Sequence, residues 1–168
     1  PVALESLLRE AISPGWPVLI YLPAEQRSWI EGAFEVSQAC LLDLMRLDPR
    51  FFEPVINVLV LETLSPQGWP RFEIQSRDVL HAASGVNWIG DRFAEIYAEA
   101  TPEGQARNFR RSVIASIVQR LLADGRLPLY RVEENDAPAQ LEAVGLGFRR
   151  TGERTLMAQV LRREKSQA

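Results

Sequence analysis

Residues 95–111 hold most of the side chains in this sequence that could do chemistry. Glu95, Tyr97, Glu99 and Thr101 alternate, so on a strand they share one face and set two carboxylates and two hydroxyls side by side. Thr101-Pro102-Glu103-Gly104-Gln105-Ala106-Arg107-Asn108-Phe109-Arg110 follows as a polar turn, and then the apolar spacing becomes helical. A strand that stops at a polar turn and restarts as a helix aims unsatisfied backbone N–H groups at one point, where a phosphate can be held. Arg107, Arg110 and Arg111 cluster at that helix start, where the helix dipole disfavours cations. A phosphate partner would account for them; so would a solvated helix start. Each glutamate, taken singly, also reads as an ordinary solvated strand residue.

Other reactive types are scarce. The single histidine, His81, excludes a multi-His metal site and leaves only one base for a Ser-His-Asp arrangement; a structural role is the preferred reading. The single cysteine, Cys40, excludes an internal disulfide and a Cys-based zinc site, and its apolar neighbours make it core filler. No metal site is expected. Tyr130 could donate a proton but reads as strand packing, while Trp69 and Trp88, beside turns, either pack or line a pocket. A net charge of −3 and a pI near 5.3 give no footprint for nucleic acid. No apolar run is long enough to span a membrane, and no basic segment with an apolar core opens the sequence, so the cytoplasm is the expected compartment. A homodimer stays open, since nothing in the sequence speaks to oligomeric state.

These groups need elements to position them. The length of 168 residues suits one domain over 1–161 with a polar tail over 162–168. Leu4, Leu7, Leu8, Ala11 and Ile12 are spaced for a short helix, and 18–22 reads as a buried strand. A long helix is predicted over 25–47, stopped by Asp48-Pro49. Residues 55–61 are rich in β-branched types and give the strongest strand expectation in the chain. Strands follow at 71–75, 79–86 and 93–100, the last two as a hairpin about Gly90-Asp91. A helix from Ser112 to Asp124-Gly125, a strand over 127–132, a short helix after Asn135-Asp136 and a final strand over 155–161 complete the chain. The strands outnumber simple strand–helix alternations, so the fold class is α/β of the α+β type, with a mixed, mainly antiparallel central sheet flanked by helices.

The order Ala94-Glu95-Ile96-Tyr97-Ala98-Glu99-Ala100-Thr101-Pro102, the polar loop, the apolar helix ending at Asp124-Gly125, then Pro128-Leu129-Tyr130, Asn135 and Leu146-Gly147-Phe148 resembles the GNAT superfamily of N-acetyltransferases over 79–148. The resemblance implies binding of acetyl-CoA as co-substrate and direct transfer of acetyl to an amine, of a small molecule or a protein. It implies that the loop Gln105, Ala106, Arg107, Asn108, Phe109, Arg110 and Arg111 holds the pyrophosphate, and that Ala100, Thr101 and Asn135 contact the pantetheine arm. Glu99, and after it Glu95, would take the amine proton. The family's loop pattern has small residues where this chain has Asn108 and Arg110, and a tyrosine acid where it has Ala143. Asn is the best replacement for glycine at positive φ, whereas Arg110 could fold outward, pair with a phosphate or obstruct it. A CoA-binding or protein-interaction module with weakened transferase activity is the alternative. The resemblance leaves the acceptor, set by the first 48 residues in this family, unspecified.

Overall fold

Val113, Ile114, Ile117, Val118 and Leu121 lie on one stripe of α3 (Phe109–Ala123), and all five are fully buried. That stripe needs an apolar sheet face to pack on, and the strands supply it with Phe72, Ile74, Ala82, Val86, Ala94 and Ile96. The computed structural model describes residues 7, 10–32 and 34–162, which fall into two compact units. The larger spans residues 44–132 and 137–151. The fold is α+β, built on a mixed, mainly antiparallel sheet flanked by helices, as expected from the sequence.

The larger unit holds β3 (Leu61–Leu64), β4 (Pro70–Ser76), β5 (Val79–Ile89), β6 (Phe93–Ala100) and most of β7 (Leu127–Glu133), in the order β7-β6-β5-β4-β3, while β2 (Phe34–Leu47) and β8 (Phe148–Arg162) each divide between the two units. Strands β3 to β6 form an antiparallel meander; β6 and β7, joined through α3, run parallel. The hairpin about Gly90-Asp91 forms as expected. Helix α3 ends in a Schellman motif: Gly125, at φ +73, donates to the Leu122 carbonyl and Arg126 to that of Leu121. Helix α4 (Ala137–Gly145) adds Ala139 and Ala143 to the core, with Leu146 and Phe148 beyond it.

The smaller unit, residues 1–43, 133–136 and 152–168, pairs β1 (Pro17–Pro23) antiparallel with β8, Pro17 opposite Leu161 through Pro23 opposite Thr155. Its own core is Ile12, Ile30, Phe34, Leu156, Ala158 and Val160. Of the short helix expected near the start, Leu4 and Leu8 lie outside the described residues, as does the end of the tail.

The strand expected to be buried at 18–22 forms but exposes Leu19 and Tyr21. Two predicted elements do not form as read. The long helix over 25–47 is instead a 3-10 turn (Ala24–Gln26), one helical turn α1 (Ser28–Glu31) and the fourteen-residue strand β2. Burial along β2 follows no clean alternation, with residues 41–45 buried or half-buried and 37–39 exposed, so its periodicity does not separate strand from helix. Gly32 and the polar pair Ser37-Gln38 interrupt the helical spacing. Residues 55–60 form no strand; they are irregular, and β3 begins only at Leu61. Here Asn57 wins: its carbonyl oxygen accepts from the Leu59 N–H at 3.0 Å, and its amide donates to Ser112 Oγ at 3.1 Å. A side chain that captures its own backbone offers an alternative to the sheet ladder.

Candidate active site

Strand β6 changes character halfway along. From Phe93 opposite Leu127 to Ile96 opposite Tyr130 it pairs with β7, and the described pairing goes no further. On its other side β5 pairs with it all the way, to Ala82 opposite Ala100. Tyr97, Ala98, Glu99 and Ala100 therefore have a strand on one side and no described pairing with β7 on the other. Beyond β6, Thr101 caps α2 (Pro102–Ala106), accepting from the Gly104 N–H at 3.1 Å, with Pro102 in the first turn where its missing donor costs nothing. A Cβ on Gly104 would lie 2.2 Å from the His81 carbonyl oxygen, so only glycine lets α2 sit this close to β5. The stretch expected as a polar turn instead holds α2, separated from α3 at Arg107-Asn108.

Asn108 takes up the left-handed conformation, at φ +57, as its role as a glycine substitute requires. It opens α3 without a side-chain cap, and the first carbonyl-bonded amide of that helix is Ser112, 3.3 Å from the Asn108 oxygen. The amides of Phe109, Arg110 and Arg111 are thus the orphan donors of a helix start. Their side chains point to protein partners. Phe109 is buried. Arg110 Nε donates to Glu142 at 2.8 Å in a largely buried pair, and Arg111 donates to the Gly145 carbonyl at 3.0 Å, close to the end of α4. Arg107 pairs with Glu103 at 3.0 Å one turn back. Arg110 folds aside; its guanidinium is committed to α4.

The two carboxylates of β6 differ. Glu95 is 5% exposed and accepts from Asn87 Nδ2 at 3.2 Å, Trp88 Nε1 at 3.0 Å and Arg131. Glu99 has a side chain 58% exposed, with Arg71 at 3.4 Å as its ion-pair partner. Glu99, Ala100 and Thr101 line one hollow of about 240 Å³, together with Leu80, His81 and Ala82. Arg71, on β4, was not singled out in the sequence. It donates to Tyr97 Oη at 2.5 Å and pairs with Glu73 as well as Glu99. Burial opposes its charge, but the Glu73 hydrogen bond and the charges of Tyr97, Glu73 and Glu99 outweigh that, and its pKa is raised. Gly85 makes the contact possible: a Cβ there would meet Tyr97 Oη at 2.8 Å. The polar alternation of Arg71 and Glu73 was visible in the sequence; their register against β6 was not.

The remaining candidates have simpler settings. Trp88 binds Glu95, Trp69 packs on the main core, and Tyr130 is buried against Phe148 with ring centroids 5.7 Å apart. Trp16 is 72% exposed. Asn135 is an exposed turn residue of the smaller unit. Cys40 lies on β2 in that unit, half-buried, in a groove with Leu19, Met157 and Glu133. Burial, and then the Glu133 charge, pushes its thiol pKa up, the reverse of an activated nucleophile. Among the described residues no His, Cys, Asp and Glu group could hold a metal ion, and no helix is long and apolar enough to cross a membrane.

No family model matches the sequence, and no curated protein does. Solved structures do match in fold. A protein of the GNAT acetyltransferase family from Novosphingobium aromaticivorans aligns with TM-score 0.79 at 14% identity, over 95% of this chain and 81% of that one. An acetyltransferase of the same family from Colwellia psychrerythraea aligns with TM-score 0.59 at 9% identity, covering 94% and 71% of the two chains. A GCN5-related N-acetyltransferase from Kribbella flavida gives 0.57 at 12%, covering 84% and 67%. The chain has the GNAT fold.

Proposed function

We propose that this protein is an N-acetyltransferase that binds acetyl-CoA as co-substrate and passes the acetyl group directly to a primary amine in a ternary complex. The observation that carries the reading is the half-paired end of β6: an opening beside Tyr97–Ala100 next to a helix start whose backbone is turned by a left-handed Asn108. The residues fit the co-substrate. The amides of Phe109, Arg110 and Arg111 are donors for a pyrophosphate, and Arg110, held by Glu142, leaves their approach clear. Edge groups of β6 at Ala100 and Thr101 suit an amide-bearing pantetheine arm.

Glu99 carries the base role. An alkylammonium group must lose a proton before its nitrogen attacks, and Glu99 is an exposed carboxylate lining a hollow. The nitrogen then forms the C–N bond, the C–S bond breaks, and the proton balance closes on the thiolate through solvent, because Ala143 leaves no tyrosine acid there. Glu95 is unsuited to the base role, since it is buried and its oxygens are already engaged by three donors.

A second reading, a CoA-binding or protein-interaction module with weakened transfer, is favoured by the same loss of Glu95 and of the acid at Ala143. Calorimetric titration with acetyl-CoA, followed by thiol release on a panel of amines, separates the two. Transferase function predicts a one-to-one isotherm and thiol release. Binding without thiol release selects the module, and no heat at millimolar acetyl-CoA removes the co-substrate from both.

A further inference from the structure

We propose that Ser76, His81 and Glu103 form a second reactive centre, a serine nucleophile with its base and an orienting carboxylate, that takes the acyl group of a short-chain carboxylic ester. The fold builds it deliberately. Strand β4 ends at Ser76, and a two-residue turn, Arg77 and Asp78 both at positive φ (+49 and +64), returns the chain as β5. The register then slips: Ile74 faces Ala82 but Gln75 faces Leu80, so His81 is the extra residue of a β-bulge, a device that re-aims a side chain. Its Nε2 lies 2.7 Å from Ser76 Oγ. Its Nδ1 is buried with no hydrogen-bond partner, and the nearest carboxylate is Glu103, 4.0 Å away on α2. Such contacts are often long before substrate arrives and tighten afterwards. A carboxylate on that side favours the tautomer with the proton on Nδ1, which leaves the Nε2 lone pair for the serine hydroxyl.

The three residues border a cleft of about 580 Å³ with an apolar wall of Leu59, Ile74, Val79 and Phe109, and with Arg77 at its rim. The apolar wall suits a short acyl chain, and the guanidinium suits a developing oxyanion. Ser76 Oγ attacks the carbonyl carbon while His81 Nε2 takes its proton. The ester C–O bond breaks and His81 returns the proton to the departing alkoxide; water then releases the acid by the same route in reverse. Acetyl-CoA plays no part, so this centre stands or falls separately from the proposed transferase.

The test uses the full chain with a fluorophosphonate probe and intact-mass analysis, then p-nitrophenyl acetate. The expected result is one covalent adduct, mapped to Ser76 and absent in Ser76→Ala. Glu103→Gln, at an exposed position that leaves the core intact, is expected to slow labelling by about tenfold and to lower kcat for p-nitrophenyl acetate with KM unchanged. No adduct at Ser76, or an adduct whose rate is the same in Glu103→Gln and His81→Asn, would overturn the proposal and leave an ordinary serine–histidine hydrogen bond.

Discussion

Strand β6 is two different strands along its length. Its first half, Phe93–Ile96, is paired on both sides, and its carboxylate, Glu95, is buried and saturated by Asn87, Trp88 and Arg131. Its second half, Tyr97–Ala100, is paired only with β5, and its carboxylate, Glu99, is mostly exposed in a hollow. Both glutamates come from the same alternation, share a face and sit four residues apart. Pairing separates their fates: where the ladder is complete a carboxylate is buried among donors, and where it stops one stays exposed.

The largest expected effect separates these halves by activity. Glu99→Gln should lower kcat with a good amine acceptor by about 10²–10⁴-fold, the worth of a positioned general base, without moving the melting temperature. Equal losses in Glu95→Gln and Glu99→Gln, at equal stability, would erase the distinction. Stability inverts the order. Glu95→Ala removes an acceptor from Asn87, Trp88 and Arg131 and should cost about 3 kcal/mol by urea denaturation, the lower end for a broken buried pair because Arg131 is partly exposed. Glu99→Ala should stay within about 0.5 kcal/mol, as for an exposed residue. A smaller effect probes the loop beyond the open end. Asn108→Gly relieves a left-handed asparagine and should stabilise by up to about 1 kcal/mol while leaving acetyl-CoA affinity intact; a loss of stability would mean that the asparagine side chain itself is needed.

The smallest effect concerns a third carboxylate, exposed but paired. Arg50, donating from both side chain and backbone, holds Asp48 down to a pKa of about 2. The folded value is depressed, so the contribution of Asp48 is present above the unfolded value of about 3.9 and is lost as pH falls through about 2. Arg50→Ala should therefore raise the midpoint of acid unfolding slightly, followed by circular dichroism; an unchanged midpoint would mean the pair adds nothing to the fold.

What the sequence made legible was local. The hairpin at Gly90-Asp91, the left-handed Asn108 and the Asp124-Gly125 stop each depend on a few neighbouring residues, and each forms as expected. Illegible features depended on distant partners. Strand β2 mixes buried and exposed positions without strict alternation, and its apolar spacing reads as a helix. Residues 55–60 have strand composition, but Asn57 reaches Ser112, fifty-five positions away, and holds them off the ladder. The Arg71–Tyr97 contact needs the register of three strands and the missing side chain of Gly85. His81 seemed a lone structural histidine because nothing in its neighbourhood announces the bulge that turns it toward Ser76 and Glu103.

The central claim is that the co-substrate enters where β6 and β7 part. A crystal structure of the protein soaked with acetyl-CoA tests it most directly. The account predicts density for the thioester arm between the strand at Glu99 and the strand after Tyr130, with the pyrophosphate on the amides of Phe109–Arg111. Density elsewhere, or an empty gap at millimolar acetyl-CoA, would contradict it.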